Sequence, residues 1–243
     1  MTTARACSSH PLAVLVAGLA LLLAACAPEP VAPHPEPTFD VAAPTPTPTP
    51  TPSPSTPPRL RVVTVGDSLM SGAGLDLGQA WPDLLASRSH LAVTNLACGG
   101  MGFVVEGECG TAYDGFAPAV AALQPDLLIV ESSSNDFWQD ADDIRTATTD
   151  TVDELHEAAP GARIVGLSTI WNDDPDVPDD TAVTSDALHQ AVDAVGGTYI
   201  DVGQPLVGHP EWLQDDDVHP TARGQKAIEQ TIVSSLQGAG ILP

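Results

Sequence analysis

Basic side chains are scarce in this chain. Eight lysines and arginines stand against 32 acidic residues, giving a formal net charge of −24, and the single lysine is Lys226. All but three of the acidic residues, and all but Arg5 of the basic ones, fall in residues 59–243. Such a field repels phosphate backbones, which excludes a nucleic-acid partner. Cysteines number four, and no histidine lies between Cys98 and Cys109, the two beyond residue 26. Zinc therefore has no ligand set of the usual spacing, and no metal or cofactor is expected. Long apolar runs are missing as well. The one at 11–25, "PLAVLVAGLALLLAA", has the length of a signal-peptide core and is short for a stable membrane span.

Proline is abundant, with 24 residues, and it crowds into 27–58, "APEPVAPHPEPTFDVAAPTPTPTPTPSPSTPP". Proline at nearly every second position removes backbone donors and favours an extended polyproline II tether, which at about 3.1 Å per residue could reach roughly 100 Å. The chain thus divides into an export signal (1–25), a tether (26–58) and one domain (59–243). The "LAAC" of 23–26 resembles a bacterial lipoprotein signal. That resemblance implies cleavage before Cys26, a lipid on Cys26, and a bacterial protein held outside the cytoplasm on its membrane. An ordinary signal peptide with an incidental Cys26 is the other reading. Cys98 and Cys109, in an exported domain, are expected to form a disulfide.

Within 59–243, five short apolar runs recur: "RVVTV" (61–65), "LAVTN" (91–95), "LLIVE" (127–131), "ARIVGLS" (162–168) and "TYIDV" (198–202). Helical patterns occupy about 78–88, 115–123, 143–158, 181–195 and 221–236. Continuous apolar strands alternating with amphipathic helices predict a three-layer α/β/α domain around a parallel sheet of about five strands. Functional groups are then expected at the carboxyl ends of the strands. The segments "VGDSLMSG", "NLACGGMG" and "ESSSNDFW" lie there, and "QDDDVHP" (214–220) precedes the last helix.

Taken alone, Ser68 reads more readily as a helix N-cap than as a nucleophile. Taken together, the segments resemble the GDSL, or SGNH, hydrolases, a family of esterases, lipases and acetylesterases with a flavodoxin-like fold. By that resemblance "GDSL" (66–69) makes Ser68 the nucleophile. The glycine of the second block falls on Gly100, with Gly99 its neighbour, and the third block, "SSND", places Asn135 with Ser133 where the family has glycine. The final Asp-x-x-His falls on Asp216 and His219. Ser68, Gly100 and Asn135 would then form the oxyanion hole, while Asp136 ties loops together.

The chemistry agrees with that spacing. A serine hydroxyl needs an imidazole to take its proton, and the imidazole needs a carboxylate to set its tautomer. Asp215 and Asp217 read as solvated neighbours, and Pro220 as the first residue of the last helix. The acidic stretches 140–143 and 172–180 lack calcium-loop spacing and read as exposed loops. Trp171, with Phe137, Trp138 or Trp212, is a candidate cleft wall. The expected activity is hydrolysis of short-acyl carboxylic esters, or of acylated polysaccharide, by a monomer through an acyl-enzyme. Acyl transfer to an envelope polysaccharide and a non-catalytic envelope-binding role are the alternatives.

Overall fold

The computed structural model describes residues 59–87 and 91–243. The signal, Cys26 and the tether lie outside the described residues. Five strands, β1 (Leu60–Val65), β2 (Leu91–Asn95), β3 (Leu127–Glu131), β4 (Arg163–Leu167) and β5 (Thr198–Ile200), form one parallel sheet in the order β2-β1-β3-β4-β5. Among the described residues six α-helices accompany them: α1 (Ser68–Ser71), α2 (Trp81–Ala86), α3 (Ala117–Leu123), α4 (Ala141–Ala158), α5 (Asp180–Ala194) and α6 (Ala222–Gly238). The predicted three-layer α/β arrangement is the observed one.

Each sheet face carries its own core because alternate strand residues point to opposite sides. Val62, Leu127, Ile129, Val165 and Leu167 join Trp81, Leu85, Ile228, Ile232 and Leu236 on one face. On the other, Val63, Val65, Leu128 and Val130 join Val152, Leu155, Leu188 and Val192. β3, central in the sheet, is buried at all five positions, which is why its sequence runs apolar without alternation. Helix α6 buries Gln225, Ile228, Ile232 and Leu236, while Ala222 is exposed. Gln225 is buried without cost because its amide accepts from Trp81 N and donates to Leu69 O, tying α6 to α1 and α2.

Two elements depart from the sequence reading. β5 stops at Ile200, because Asp201 turns its carboxylate back onto Gly203 N. Pro220 is not the first residue of α6. It pairs with Leu213 in an isolated bridge, and Thr221 is the cap, accepting from Gly224 N. Strand order reverses between β1 and β3, so the loops leaving these two strands open a crevice at the carboxyl edge of the sheet.

Candidate active site

The crevice receives the Ser68 turn from β1, the 96–112 loop from β2 and the Ser132–Asp136 turn from β3. At the first, the helix cap is Asp67, one residue before Ser68. Its Oδ1 accepts from Leu69 N at 2.8 Å, so Ser68 is the first residue of α1 and its own N–H has no acceptor in the helix. The N-cap reading of Ser68 is thereby replaced by one that leaves its hydroxyl uncommitted. Gly66 matters less for a turn than for space: a side chain there would meet Met70 Sδ at 2.6 Å.

Asp67 is almost wholly buried, and burial pushes its carboxyl above the usual range while the Ser133 hydroxyl opposes that shift. Ser133 Oγ donates to Asp67 Oδ2 at 2.6 Å and accepts from Asn135 N at 3.0 Å. The serine that stands where glycine was expected therefore joins the Ser68 turn to the Asn135 turn. Spacing along the chain could not announce this link, since it spans residues 66 apart in sequence.

Asn135 gives its side-chain amide to Met101 O at 2.8 Å, which uses one of its two N–H bonds and sets the amide beside the Gly100 loop. Gly100 holds φ +72°, a conformation open to glycine, and among the described residues its N–H meets no acceptor. Gly99 differs, since its carbonyl accepts from Glu108 N and a side chain on it would strike the Glu108 carboxylate. Cys98 and Cys109 are bonded as a disulfide that closes this loop. Asp136 holds the same loop from within, its carboxylate accepting from Phe103 N, Val104 N and Val105 N at 2.7, 3.0 and 3.1 Å. Burial pushes the Asp136 carboxyl up, and the three backbone donors counter this. Gly102 allows the approach: a Cβ there would lie 2.2 Å from Asp136 Oδ1.

Opposite these turns, Asp216 Oδ2 lies 2.7 Å from His219 Nδ1, while Asp216 Oδ1 accepts from Val218 N and His219 N. These bonds, led by the one to the imidazole, hold the Asp216 carboxyl down at about 2. An ionised carboxylate only accepts, so the Nδ1 facing it bears the proton and Nε2 is left as the acceptor. Gln214 fixes the segment by donating to Ala73 O and Pro220 O. Asp215 and Asp217 are exposed, as expected. Asp217 also holds φ +57°, and its carbonyl accepts from Asn172 Nδ2.

Hydrogen bonds gather the five candidate residues into two groups, the Ser68, Asn135 and Gly100 turns in one and Asp216 with His219 in the other. Asp216 and His219 are directly bonded. Among the described residues no hydrogen bond joins Ser68 Oγ to His219, but Leu69 and Val218, their chain neighbours, line the same small cavity together with Ser134, Ile170, Trp171 and Asn172. Its volume is about 20 Å³, roughly the room of one water molecule. Trp171 is the cleft aromatic of the sequence reading. Phe137 is buried and stacks on it at 5.4 Å, Trp138 is exposed, and Trp212 belongs elsewhere, stacked on His209. A larger cavity of about 720 Å³ lies beside α5 and β5, and none of the five candidate residues lines it. The acidic stretches are locally used: Asp140 caps α4, and Asn172 and Asp174 make successive side-chain turns onto Asp174 N and Asp176 N.

The sequence model of the GDSL-like Lipase/Acylhydrolase family matches residues 64–227. Among curated proteins no match is found. Similar solved structures include the psychrotrophic esterase EstA from a Pseudoalteromonas species, at 17% identity and TM-score 0.60 over 74% of this chain and 98% of that one. A family two carbohydrate esterase from Cellvibrio japonicus matches at 21% identity and TM-score 0.59, over 77% and 63%. The salicylyl-acyltransferase SsfX3 of a tetracycline biosynthetic pathway matches at 20% and 0.60, over 78% and 57%. At these identities the likeness is one of fold.

Proposed function

The chain belongs to the GDSL-like lipase/acylhydrolase family and is a serine-type hydrolase of carboxylic esters, and from that premise we propose that Ser68, His219 and Asp216 carry the reaction on short-acyl substrates. Ser68 Oγ attacks the ester carbonyl and its proton passes to His219 Nε2. The resulting oxyanion is met by the N–H groups of Ser68 and Gly100 and the free amide hydrogen of Asn135. Collapse expels the alcohol, which takes the proton from His219. Water then repeats the sequence on the acyl-enzyme. Asp216 holds the imidazole in the tautomer that leaves Nε2 free and stabilises the imidazolium formed in each half-reaction.

The observation that carries the assignment is the 2.7 Å contact of Asp216 Oδ2 with His219 Nδ1, made by a carboxylate held ionised down to about pH 2. Short-acyl preference is supported by how little enclosed space lies beside Leu69 and Val218. An alkyl phosphonate ester tests the roles: it should label one residue, Ser68, and the label should be lost in His219→Ala. A label on another serine overturns the assignment.

The domain of residues 59–243 is proposed to stand outside the cytoplasm as a monomer on a proline-rich tether, with its membrane anchor a lipid on Cys26. The "LAAC" motif supports this. Cys26→Ser should move the protein out of the membrane fraction or leave its precursor uncleaved, and unchanged lipid labelling of that variant would rule out the lipid on Cys26.

A further inference from the structure

The cavity of about 720 Å³ at the carboxyl ends of β4 and β5 takes no part in the ester-hydrolase roles given above, and its lining is chemically one-sided. Asp179, Asp186 and Asp201 bring carboxylates to it, while no arginine or lysine lines it. Asp179 is the N-cap of α5, yet its side chain makes no cap bond. Among the described residues Asp186 has neither a hydrogen-bond nor an ion-pair partner. Asp201 Oδ1 accepts from Gly203 N and Ser168 Oγ. His189, the histidine of the lining, is turned to Asp193, with Nε2 3.4 Å from that carboxylate.

The cavity wall also contains a hydroxyl that the protein leaves unanswered. Thr181 is 9% exposed, and its Oγ1 is buried with no hydrogen-bond partner among the described residues. An unpaired buried group of this kind costs about 1–3 kcal/mol, which a donor brought by a ligand offsets. Tyr199 shows where the negative charge gathers. Burial pushes its hydroxyl up, the Ser185 hydroxyl opposes that, and the charges of Asp201 and Asp186 both add to it, so the two carboxylates face one part of the wall.

Acceptors on several sides with no protein cation among them call for a ligand built of positively charged N–H donors, and the acidity of the domain draws such ligands in. A metal ion does not suit the site: among the described residues no three His, Cys, Asp or Glu side chains come together to hold one. A quaternary ammonium needs an open aromatic face, whereas the Tyr199 ring already stacks on His189 at 4.3 Å. Asp179 and Asp186, seven residues apart, lie on one face of α5 and about 10 Å apart along its axis. Ala182 lies between them on that face, and Val177 and Pro178 add apolar wall. Charges held apart by methylenes match this spacing. We propose that the cavity binds a linear aliphatic polyamine, its terminal ammonium groups on Asp179 and Asp186, with Asp201 and Thr181 Oγ1 as further acceptors.

Isothermal titration of the native protein with spermidine at fixed ionic strength should show one saturable site, and 1,4-diaminobutane, too short to reach both aspartates, should bind more weakly. Asp186→Asn and Thr181→Val should each weaken spermidine binding about fivefold or more. Asp153→Asn removes the same charge from an exposed position on α4 away from the cavity and should change binding by less than about twofold. Asp186 is exposed, so Asp186→Asn leaves packing untouched and keeps the test decisive if Thr181→Val does not fold. Binding unaltered in Asp186→Asn, or weakened as much in Asp153→Asn, would reduce the effect to counterions around an acidic domain and overturn the site. Tetralysine competing for the site more tightly than spermidine would overturn the free polyamine in favour of a lysine-rich protein segment.

Discussion

At the scale of single residues, the candidate machinery makes a prediction about non-additivity. Ser68→Ala and His219→Ala should each lower kcat by orders of magnitude, with the double variant falling little further, because the two act in one proton transfer. Asp216→Asn should also lower kcat by orders of magnitude although the turn survives, because with Oδ1 kept on its two backbone N–H groups the amide NH2 faces Nδ1 and turns the imidazole to the tautomer that protonates Nε2. Asp215→Ala serves as the surface control and should change kcat by less than about threefold. Asp217→Ala is a poor control despite its exposure, because alanine resists φ +57°; Asp217→Asn keeps that conformation accessible. Ser133 allows a sharper test. Its hydroxyl links the cap of the Ser68 turn to Asn135, so Ser133→Ala should lower kcat about tenfold with KM little changed, the pattern expected when a transition-state donor loses its placement. Ser133→Thr, which retains the hydroxyl, should recover part of that loss. An unchanged kcat in folded Ser133→Ala would reduce the serine to a packing substitute for glycine.

At the scale of elements, the loop after β2 is held twice, by the Cys98–Cys109 disulfide and by the Asp136 carboxylate on three consecutive backbone donors. A crosslink over 11 positions stabilises by about 3 kcal/mol in the chain-entropy account. Replacing both cysteines with alanine should therefore lower Tm by roughly 6–12 °C for a domain of this size, read by calorimetry. Asp136 still grips Phe103–Val105 in that variant, so kcat should fall by less than about tenfold. The same elements show what the sequence could and could not reveal. All five strands were legible within two residues because a sheet covered on both faces demands unbroken apolar runs, of which "LLIVE" is the extreme. The four-residue α1 was not, being too short for periodicity and created by the Asp67 cap. Nor was the Asp67–Ser133 contact, which exists only once β1 and β3 lie side by side. The Asp-x-x-His pair was legible because both partners sit on one turn and need no tertiary contact to meet.

At the scale of the whole molecule, the acidity that excludes anionic partners also shapes how stability follows pH. Three carboxylates have folded values below their usual range, Asp126 through Arg61, Glu211 through its own backbone N–H and His209, and Asp216 through His219. Their contribution is complete above about pH 4 and is lost as pH falls, for Asp216 through about 2. Three others, Asp67, Glu131 and Asp136, are raised by burial, so the folded state holds protons that the unfolded chain releases, and their effect runs the other way. Glu131, at the end of β3, is the clearest case. It is 1% exposed, burial pushes its carboxyl well up, the negative charge of Asp67 adds to the shift, and the Trp81 side chain opposes it. Below about pH 4 the side chain is neutral in both states, and Glu131→Gln should change little. Above that, the native protein must retain a proton that the unfolded chain gives up, at a cost of about 1.4 kcal/mol per pH unit until the folded pKa is reached. Glutamine has nearly the same shape and no proton to retain. The Tm difference between Glu131→Gln and the native protein should therefore favour the variant and widen as pH rises above about 4. A difference that stays flat over that range would mean Glu131 ionises in place, and a variant less stable at every pH would mean its carboxyl makes a bond that the amide cannot replace.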